Sequence, residues 1–248
     1  MVPIKSKQDI QCMREGAKIL IETFSVVAEH VKIGVSAAFL DQIAYKTITK
    51  YDAVPSFLGY QNYQYTTCIS KNEEVVHGIP YEDKLLLPGD ICSIDVGVYH
   101  KGLHVDAARI FVMEDLSDPI QKLVDVTTES FYQGVQHLVP GGYLGDMSHA
   151  IQSYVEPHGF SMVRDLYSHG VGHDLHEEPL IPNYGKARSG LRLKEGMVFA
   201  IEPMVNIGTH EILTCDDKWT IITADQEWSA HYENTVLITA DGPEILTI

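Results

Sequence analysis

The chain has 248 residues, of which 45% are hydrophobic, so it can bury a substantial core and extensive disorder is not expected. Its formal charge is −16, because 18 Lys and Arg stand against 34 Asp and Glu. The sequence has no basic stripe to neutralise phosphates, which argues against direct binding to nucleic acid or to anionic membranes. Carboxylates are also the ligands that hard cations need, so their positions matter more than their sum.

The N-terminus and the cysteines bear on the compartment in which the protein works. The first residues, MVPIKSKQDIQCMREG, contain no apolar signal core, and no run of about 18 apolar residues occurs in the sequence. We therefore expect a cytoplasmic protein. The cysteines are widely spaced without a CxxC pair, which argues against a disulfide framework and against a thiolate zinc site. We expect four reduced thiols, at Cys12, Cys68, Cys92 and Cys215.

Two helices are predicted in the first 50 residues. Apolar residues recur at spacings of three and four from Ile10 to Val31, which indicates a long amphipathic helix that ends near Gly34. A second helix is predicted to begin at a Ser36 cap. Its inner face would carry Leu40, Ile43, Ala44, Thr47 and Ile48. Polar, tyrosine-rich sequence follows from 56 to 67.

A β-hairpin is predicted after the turn at Pro88 and Gly89. The segment ICSIDVGV (91–98) has the character of a buried strand, and DAARIFVM (106–113) would be the returning strand. The tripeptide HKG between them contains the glycine that a turn favours.

A second round of helices and strands follows. Asp118 and Pro119 would provide the cap and first-turn proline of a helix that stops before Pro140-Gly141-Gly142. Its inner face would carry Leu123, Thr127, Phe131 and Leu138. A shorter helix is predicted from about 146 to 156. The segments MVFAIEPMV (197–205) and NTVLIT (234–239) are predicted to be strands.

The two rounds share one sequence offset. Gly34 and Gly141, which each follow a long predicted helix, are 107 positions apart. The segments LLPGDICSIDV and RLKEGMVFAIEP align at the same offset, matching Gly89 with Gly196, Ile94 with Ile201 and Asp95 with Glu202. Two separate segments at one offset indicate a duplicated half-domain with pseudo-twofold symmetry. The duplication also puts a carboxylate at the same strand position in both halves.

Four carboxylates and one histidine stand out as candidate metal ligands. Asp95 and Glu202 lie in apolar strands, where an unpaired charge costs several kcal/mol. One such residue alone would more often be a salt-bridged structural group. Three further candidates favour a metal site over a structural salt bridge. They are Asp106 on the returning strand, Glu233 before the last apolar strand and His169 beside glycines in SHGVG. This set suits two divalent cations about 3.5 to 4 Å apart that share a nucleophilic water, which predicts a hydrolase. The oxygen-rich set favours Mn, Fe(II) or Co, and ligand type alone leaves Zn open.

Five segments resemble the signature segments of type I methionine aminopeptidases, in the same order and across nearly the whole chain. They are NEEVVHGIP, IDVGVYHKGLHVDAA, HGVGHDLHEEP, FAIEPMVN and HYENTVLIT. The resemblance implies one catalytic domain over residues 1–248 with the α+β pita-bread (creatinase/aminopeptidase-like) fold. In that fold an antiparallel sheet is backed by helices, and the pseudo-twofold halves would span about 1–115 and 116–248. The implied activity removes the N-terminal methionine from new polypeptides whose second residue is small.

The resemblance also implies roles for the candidate residues. Asp95, Asp106, His169, Glu202 and Glu233 would hold two divalent cations, with Glu233 bridging them. Glu202 would in addition carry a proton for the bridging water. His77 would contact the scissile amide and help to protonate the leaving nitrogen, and His176 would donate to the substrate carbonyl oxygen as it becomes an oxyanion. An isolated histidine is otherwise more often a structural residue.

A pocket for the methionine side chain is implied as well, although aromatic clusters more often form core. It would be lined by Phe57, Tyr60, Tyr63, Cys68, Leu175 and Trp219. The chain departs from the family at Gln61, where His is frequent, at Gly97, where Thr is common, and at Leu175, where Phe often caps the pocket. The family further implies a monovalent cation at main-chain oxygens of Asn72, Glu74 and Ser229.

The implied partners are the N-termini of nascent polypeptides, with the ribosome as a transient partner, and we expect a monomer.

The nearest alternative is an aminopeptidase for Xaa-Pro bonds, which shares the five ligands but usually has an added N-terminal domain. Here only two predicted helices precede His77. Glu202 and Glu233 are only 31 residues apart, which leaves no room for the inserted domain of type II methionine aminopeptidases. A metal-free binding protein of this fold is a further alternative, although such a protein should have lost ligands.

Overall fold

The computed structural model of the chain describes residues 2–248. Its helices are α1 (Lys7–Ala28), α2 (Ala37–Thr49), α3 (Asp118–Val135) and α4 (Leu144–Val155), with 3₁₀ turns at Tyr60–Asn62 and Glu156–His158. Its strands are β1 (Val54–Pro55), β2 (Thr67–Lys71), β3 (Glu74–Val76), β4 (Ile91–His100), β5 (Leu103–Val112), β6 (Ser161–Met162), β7 (Ser168–Gly170), β8 (Glu177–Ile181), β9 (Val198–Ile201), β10 (Met204–Asn206), β11 (Ile212–Thr214), β12 (Ile221–Thr223), β13 (Ser229–His231), β14 (Glu233–Thr239) and β15 (Gly242–Ile245). Within the described range, no helix has the length and apolar character that crossing a bilayer requires.

The first two helices follow the predicted patterns, with one change of boundary. α1 ends at Ala28 rather than near Gly34. Beyond the helix, the Gly34 N–H donates to the carbonyl oxygen of Leu86 at 2.8 Å, which ties this segment to the start of the hairpin. α2 begins after the predicted Ser36 cap, whose hydroxyl accepts from the backbone N–H of Phe39 at 3.2 Å.

The helices of the second half begin earlier than the sequence predicted. The N-cap of α3 is Ser117, and Asp118 is already helical, so the prediction of Asp118 as the cap was wrong. α4 begins at Leu144 rather than near Asp146. The Asp146 carboxylate instead accepts from the backbone N–H of Tyr143 at 3.3 Å, which places Asp146 inside the first turn.

Antiparallel pairing joins the described strands into one large sheet and two small ones. The predicted hairpin is confirmed, since β4 and β5 pair from Ile91 with Val112 to His100 with Leu103. The large sheet follows the order β1-β4-β5-β14-β9-β7-β8, with β2 also on β4 and β15 also on β14. The small sheets have the orders β13-β10-β6 and β11-β12-β3. The predicted α+β class is therefore confirmed.

The strand predicted at 197–205 is two strands in different sheets. β9 ends at Ile201 in the large sheet, and β10 begins at Met204 in the small sheet with β13 and β6. The prediction of one continuous strand was wrong because Pro203 has no N–H to donate to a ladder. The break leaves Glu202 directly after the end of β9, in the middle of the large sheet.

The two pairs of helices cover two apolar cores. α1 and α2 pack with β4 and β5 around Leu20, Leu40 and Ile94. α3 and α4 pack on each other and on the second half around Phe131 and Phe199. These cores support the sheet from the helical side and leave the candidate ligands on its other face.

Backbone hydrogen bonds repeat at the predicted offset of 107 positions. The Gly34 N–H donates to Leu86 O at 2.8 Å, and the Gly141 N–H donates to Leu193 O at 2.9 Å. Isolated bridges join Ser36 to Leu85 and Tyr143 to Arg192, again one offset apart. The glycines of the predicted alignment all have φ of 83°, a conformation that favours glycine, at Gly34, Gly89, Gly141 and Gly196. The structural duplication therefore extends to individual hydrogen bonds.

Candidate active site

Neighbouring strands of the large sheet each bring one predicted ligand to the same place. These residues are Asp95 on β4, Asp106 on β5, Glu233 on β14, Glu202 directly after β9 and His169 on β7. Asp95 and Glu233 both pair with Ala108, and Asp106 lies two residues before Ala108 on the same strand. Because strand residues two apart share a face, these three carboxylates point to the same side of the sheet.

Four of the five predicted ligands fall into two groups of donor atoms that share Glu233, and Asp95 falls into neither group. One group is Asp106, His169 and Glu233, and the other is Glu202, His231 and Glu233. In each group the donor atoms lie within 4.8 Å of one another. Asp106 and Glu233 are buried, so their charges are held close together with little water between them. The arrangement matches what two adjacent cations would require of a protein.

The buried carboxylate oxygens test whether cations fit this cluster. Among the described residues, Asp95 Oδ1, Asp106 Oδ1 and Glu233 Oε1 are buried and have no hydrogen-bond partner. Burial raises the pKa of Asp95, Glu202 and Glu233 well above the usual carboxylate range, and repulsion from Asp106 adds to each shift. Burial also raises the pKa of Asp106 to about 7. Divalent cations would offset the cost of burying these carboxylates and the repulsion between them. They would also coordinate the oxygens that have no hydrogen-bond partner, so the residues fit a metal centre.

His169 presents one ring nitrogen to the cluster. Its Nδ1 lies 2.8 Å from the carbonyl oxygen of Gly170, which can only accept, so Nδ1 carries the proton. Its Nε2 is left free and lies 3.5 Å from Glu202 Oε1. Burial lowers the pKa of His169 to about 3, and the nearby His176 contributes to the shift. The ring is therefore neutral, as a metal ligand must be.

A closed set of hydrogen bonds fixes the backbone of Glu202 on both sides. The Glu202 N–H donates to Ser168 Oγ at 2.9 Å, and the Ser168 hydroxyl donates to Asn183 Oδ1 at 2.8 Å. Asn183 Nδ2 then donates to the carbonyl oxygen of Glu202 at 3.0 Å. Sequence reasoning missed Ser168 and Asn183, because their partners are brought together only by the fold.

Arg109 is a second residue that the sequence did not reveal. Its half-buried guanidinium donates to the carbonyl oxygens of Ala108 at 2.9 Å, Glu233 at 2.8 Å and Thr247 at 2.5 Å. It also donates to Asn234 Oδ1 at 2.8 Å. These bonds cross-link β5 and β14 at the level of the carboxylates. Arg109 thereby fixes the main chain of Glu233 relative to Asp106.

A cavity of about 290 Å³ opens over the carboxylates. All predicted pocket residues line it, namely Phe57, Tyr60, Tyr63, Cys68, Leu175 and Trp219. The same six residues belong to one apolar cluster, together with Ile79 and Tyr65. Further lining residues, none of which was predicted as part of the pocket, are Gln61, Val76, Leu166, Tyr167, Leu180 and Met204. The cavity thus combines an apolar wall with a base of carboxylates.

The predicted histidines both line this cavity. His176 Nδ1 lies 2.7 Å from the Tyr60 hydroxyl, which leaves Nε2 for another partner. The His176 ring is also packed edge-on against His169, with 4.3 Å between ring centroids. His77 lies beside Trp219, with 6.4 Å between centroids, and burial lowers the pKa of His77 to about 4. The structure therefore brings both histidines to the cluster.

Two of the departures from the family pattern lie at the cavity, which Gln61 lines directly and which Gly97 affects through its neighbours. A Cβ added at Gly97 would lie 2.6 Å from Ser56 Cβ and 2.9 Å from the Phe57 ring. Glycine at this position therefore allows Phe57 to pack against the hairpin. Gln61 Nε2 donates to the Tyr60 hydroxyl at 3.2 Å, at the edge of the cavity.

The segments named for a monovalent cation are also adjacent. The Ser229 N–H donates to Asn72 O at 2.8 Å, which joins β13 to the turn before β3. The Glu74 carboxylate accepts from the Lys71 N–H and from Lys84 Nζ, both at 2.8 Å. The proximity of Asn72, Glu74 and Ser229 is a structural fact, and the cation remains a prediction.

Comparison with known proteins agrees with this geometry. Residues 11–240 match Metallopeptidase family M24. A methionine aminopeptidase of Clostridium acetobutylicum is 47% identical over 248 residues, which cover 100% of this chain and 99% of that protein. The crystal structure of a methionine aminopeptidase from Thermotoga maritima has a TM-score of 0.98 at 41% identity, over 100% of this chain and 99% of that chain.

The fold and the carboxylate cluster define a metal-dependent peptidase. The chain belongs to metallopeptidase family M24, whose members use divalent metal ions. The predicted pita-bread fold is confirmed by the likeness to the Thermotoga maritima structure. A prolidase from Pyrococcus furiosus has a TM-score of 0.80 at 22% identity, over 99% of this chain and 65% of that chain, a likeness that shows the fold alone.

Proposed function

We propose that this chain is a dinuclear metal-dependent aminopeptidase that removes the N-terminal methionine from polypeptides whose second residue is small. The observation that carries the proposal is a cavity in which four carboxylates and an imidazole lie at the base of an apolar wall. The first side chain of a peptide substrate, if it is apolar, can pack against this wall while the first peptide bond of the substrate lies over the carboxylates. The proteins of Clostridium acetobutylicum and Thermotoga maritima described above are named methionine aminopeptidases, and the site has the composition that this activity needs.

The candidate ligands would hold two divalent cations. They are Asp95, Asp106, His169, Glu202 and Glu233, and Glu233 would bridge because it belongs to both donor groups. Bound cations supply a nucleophilic water at neutral pH and polarise the scissile carbonyl. The oxygen-rich set favours Mn, Co or Fe(II), with Zn also acceptable. Glu202 would accept a proton from the attacking water, and its fixed backbone keeps the carboxylate in place for that transfer.

The cavity histidines would act on the substrate directly. His176, oriented by the Tyr60 hydroxyl at 2.7 Å, would use Nε2 to donate to the substrate carbonyl oxygen as negative charge develops there. His77 would contact the scissile amide and assist proton transfer to the leaving nitrogen. A pKa of about 4 makes the His77 ring neutral near pH 7, so it can accept a proton as well as donate one.

The wall of the cavity suits a methionine side chain. Tyr63 and Trp219 meet edge to face at 4.8 Å, and Cys68 and Leu175 are buried beside them. An unbranched thioether adapts to such an irregular apolar space and contacts aromatic rings favourably. Specificity for methionine would therefore come from shape and apolar contact, without a hydrogen bond from a polar group to the side chain.

The proposal extends to partners and organisation. Its substrates would be the N-termini of nascent polypeptides, with the ribosome as a transient partner, in the cytoplasm. The chain would act as a monomer with one catalytic domain over 1–248, whose halves meet near residue 115. A monovalent cation would bind main-chain oxygens of Asn72, Glu74 and Ser229, and the hydrogen bond from the Ser229 N–H to Asn72 O supports this proposal.

The proposal is tested by hydrolysis of Met-Ala-Ser after chelation and stepwise return of single metals. We expect chelation to abolish turnover and Mn, Co or Fe(II) to restore it. Met-Phe-Ser should be cleaved far more slowly, because its second residue is large. Full activity in the chelated protein would overturn the proposal. Cleavage of Ala-Pro instead of Met-Ala-Ser would indicate the Xaa-Pro class, and failure with every cation would indicate a binding protein.

A further inference from the structure

His231 is a buried histidine beside the carboxylates that the proposed mechanism does not use. It is the last residue of β13 and pairs with Met204 of β10, so it approaches from a small sheet rather than from the large one. It is only 2% exposed. Its backbone N–H donates to Ser93 Oγ at 3.3 Å, which fixes the main chain at this point.

The ring of His231 faces two of the candidate ligands. Its Nε2 lies 3.7 Å from Glu202 Oε2 and 3.7 Å from Glu233 Oε2. Both separations exceed the range of a hydrogen bond. Nε2 is buried and has no hydrogen-bond partner within residues 2–248. His169 Nε2 lies at a similar separation, 3.5 Å, from Glu202 Oε1.

These separations agree with ligand atoms that share one cation. Two atoms that each bind a cation at about 2.1 Å are separated by roughly 3.0 to 4.2 Å, depending on the angle between the bonds. The values of 3.7 Å for His231 fall inside this range. A ring that only packed in the core would leave Nε2 desolvated without a partner, at a cost of about 1 to 3 kcal/mol.

We propose that His231 is a further metal ligand, which binds through Nε2 the cation that Glu202 and Glu233 hold. The inference rests on the proposed two-metal function and adds a ligand to it. The centre then has two imidazoles, those of His169 and His231, and Glu233 belongs to both donor groups.

The added imidazole has a consequence for metal preference. Imidazole suits Co, Fe(II) and Zn, whereas carboxylates and water suit Mn. His231 therefore shifts the site formed with Glu202 and Glu233 toward the later transition metals. Sequence reasoning missed this residue, although His231 stands only two positions before Glu233.

The test uses the wild-type protein with all histidines labelled with ¹⁵N and loaded with two equivalents of Co(II). Imidazoles bound to Co(II) give strongly shifted NMR signals, so the number of such rings can be counted directly. We expect two such rings in the wild type and one in His231→Gln. His149→Gln, which replaces an exposed histidine, should retain both.

Calorimetric titration provides a second measurement that does not depend on catalysis. In His231→Gln the affinity for one of the two Co(II) ions should fall by about 10- to 100-fold, as expected for a disturbed metal site. The affinity for Mn(II) should fall less, because Mn gains less from imidazole. A variant that binds both Co(II) ions as tightly as the wild type would overturn the proposal.

The outcomes separate this inference from the proposed function. Two bound Co(II) ions with only one shifted imidazole in the wild type would refute the role of His231 and leave the two-metal peptidase standing. A wild type that binds no Co(II) would refute both. If His231→Gln does not fold, the number of shifted rings in the wild type decides the question alone.

Discussion

The base and the wall of the cavity are built in different ways. The base consists of Asp95, Asp106, His169, Glu202 and Glu233, which come from consecutive strands of one sheet. The wall consists of Phe57, Tyr60, Tyr63, Cys68, Leu175 and Trp219, most of which lie outside regular strands. Sheet register fixes the base through many hydrogen bonds, whereas the wall depends on packing between irregular segments. The chemistry should therefore be sensitive to small changes, and the selectivity should be adjustable.

The largest effect is expected from a change in the base. Asp106→Asn keeps the size of the side chain but removes the charge that compensates a cation. We expect loss of at least one metal ion and a fall in kcat of about 10³-fold, equivalent to about 4 kcal/mol. Metal analysis and Met-Ala-Ser kinetics would measure both quantities. Asp115→Asn, at an exposed position, is the matched control. Unchanged metal content and rate would count against Asp106 as a ligand.

The next largest effect on kcat is expected from the two histidines that line the cavity. His77→Ala and His176→Ala should each lower kcat by about 10²-fold, the usual scale for a lost general acid or oxyanion donor. Both variants should retain their metals. Tyr60→Phe should cost less, because it removes only the hydroxyl that lies 2.7 Å from His176 Nδ1. Loss of metal from either histidine variant would show that the residue is a ligand or a structural group.

A smaller effect, on stability and KM, is expected where Phe57 of the wall packs against Gly97 of the sheet. Gly97→Ala would place a methyl group 2.6 Å from Ser56 Cβ, and such overpacking typically costs about 1 to 3 kcal/mol. We expect a lower Tm and a higher KM through displacement of Phe57, with metal content unchanged. Gly16→Ala is the matched control, because its nearest contacts would be an ordinary 3.5 Å. Equal stability of the two variants would contradict the proposed close packing.

The smallest effect concerns selectivity within the wall. Leu175 is buried in the apolar cluster, and a phenylalanine there would narrow the space for the first side chain of the substrate. Pocket fit is worth about 1 to 3 kcal/mol per methylene-sized difference. Leu175→Phe should therefore increase the preference for Met over norleucine and Leu. The measurement is kcat/KM for Met-Ala-Ser, norleucine-Ala-Ser and Leu-Ala-Ser. Identical ratios in both proteins would show that Leu175 does not contact the side chain.

The base could be predicted from sequence because its residues violate a pattern. A carboxylate such as Asp95 or Glu202 inside an apolar strand is costly, and the internal repeat of the sequence matches these two positions at one offset. The wall has no such signal. Its predicted members came from resemblance, and Leu166, Tyr167 and Met204 were missed because contacts between distant loops leave no periodic pattern.

Element boundaries were predicted less well than the elements themselves. α1 ends at Ala28, and the segment after it is held by the bond from Gly34 to Leu86, a partner more than 50 residues further along the chain. The break at Pro203 divides one apolar run between two sheets, although the run itself has the pattern of a single strand. Such long-range partners override local propensity, and a single sequence does not identify them.

The position of β14 in the sheet affects when the site can form. β14 comes near the end of the chain, yet it lies between β5 and β9 in the centre of the large sheet. A chain still in synthesis therefore lacks both Glu233 and the strand that joins the two halves. Long-range pairing of this kind forms slowly and late. Peptide-cleaving capacity should accordingly arise only in the last stage of folding, and cations that bind the finished site would then stabilise the native state by mass action.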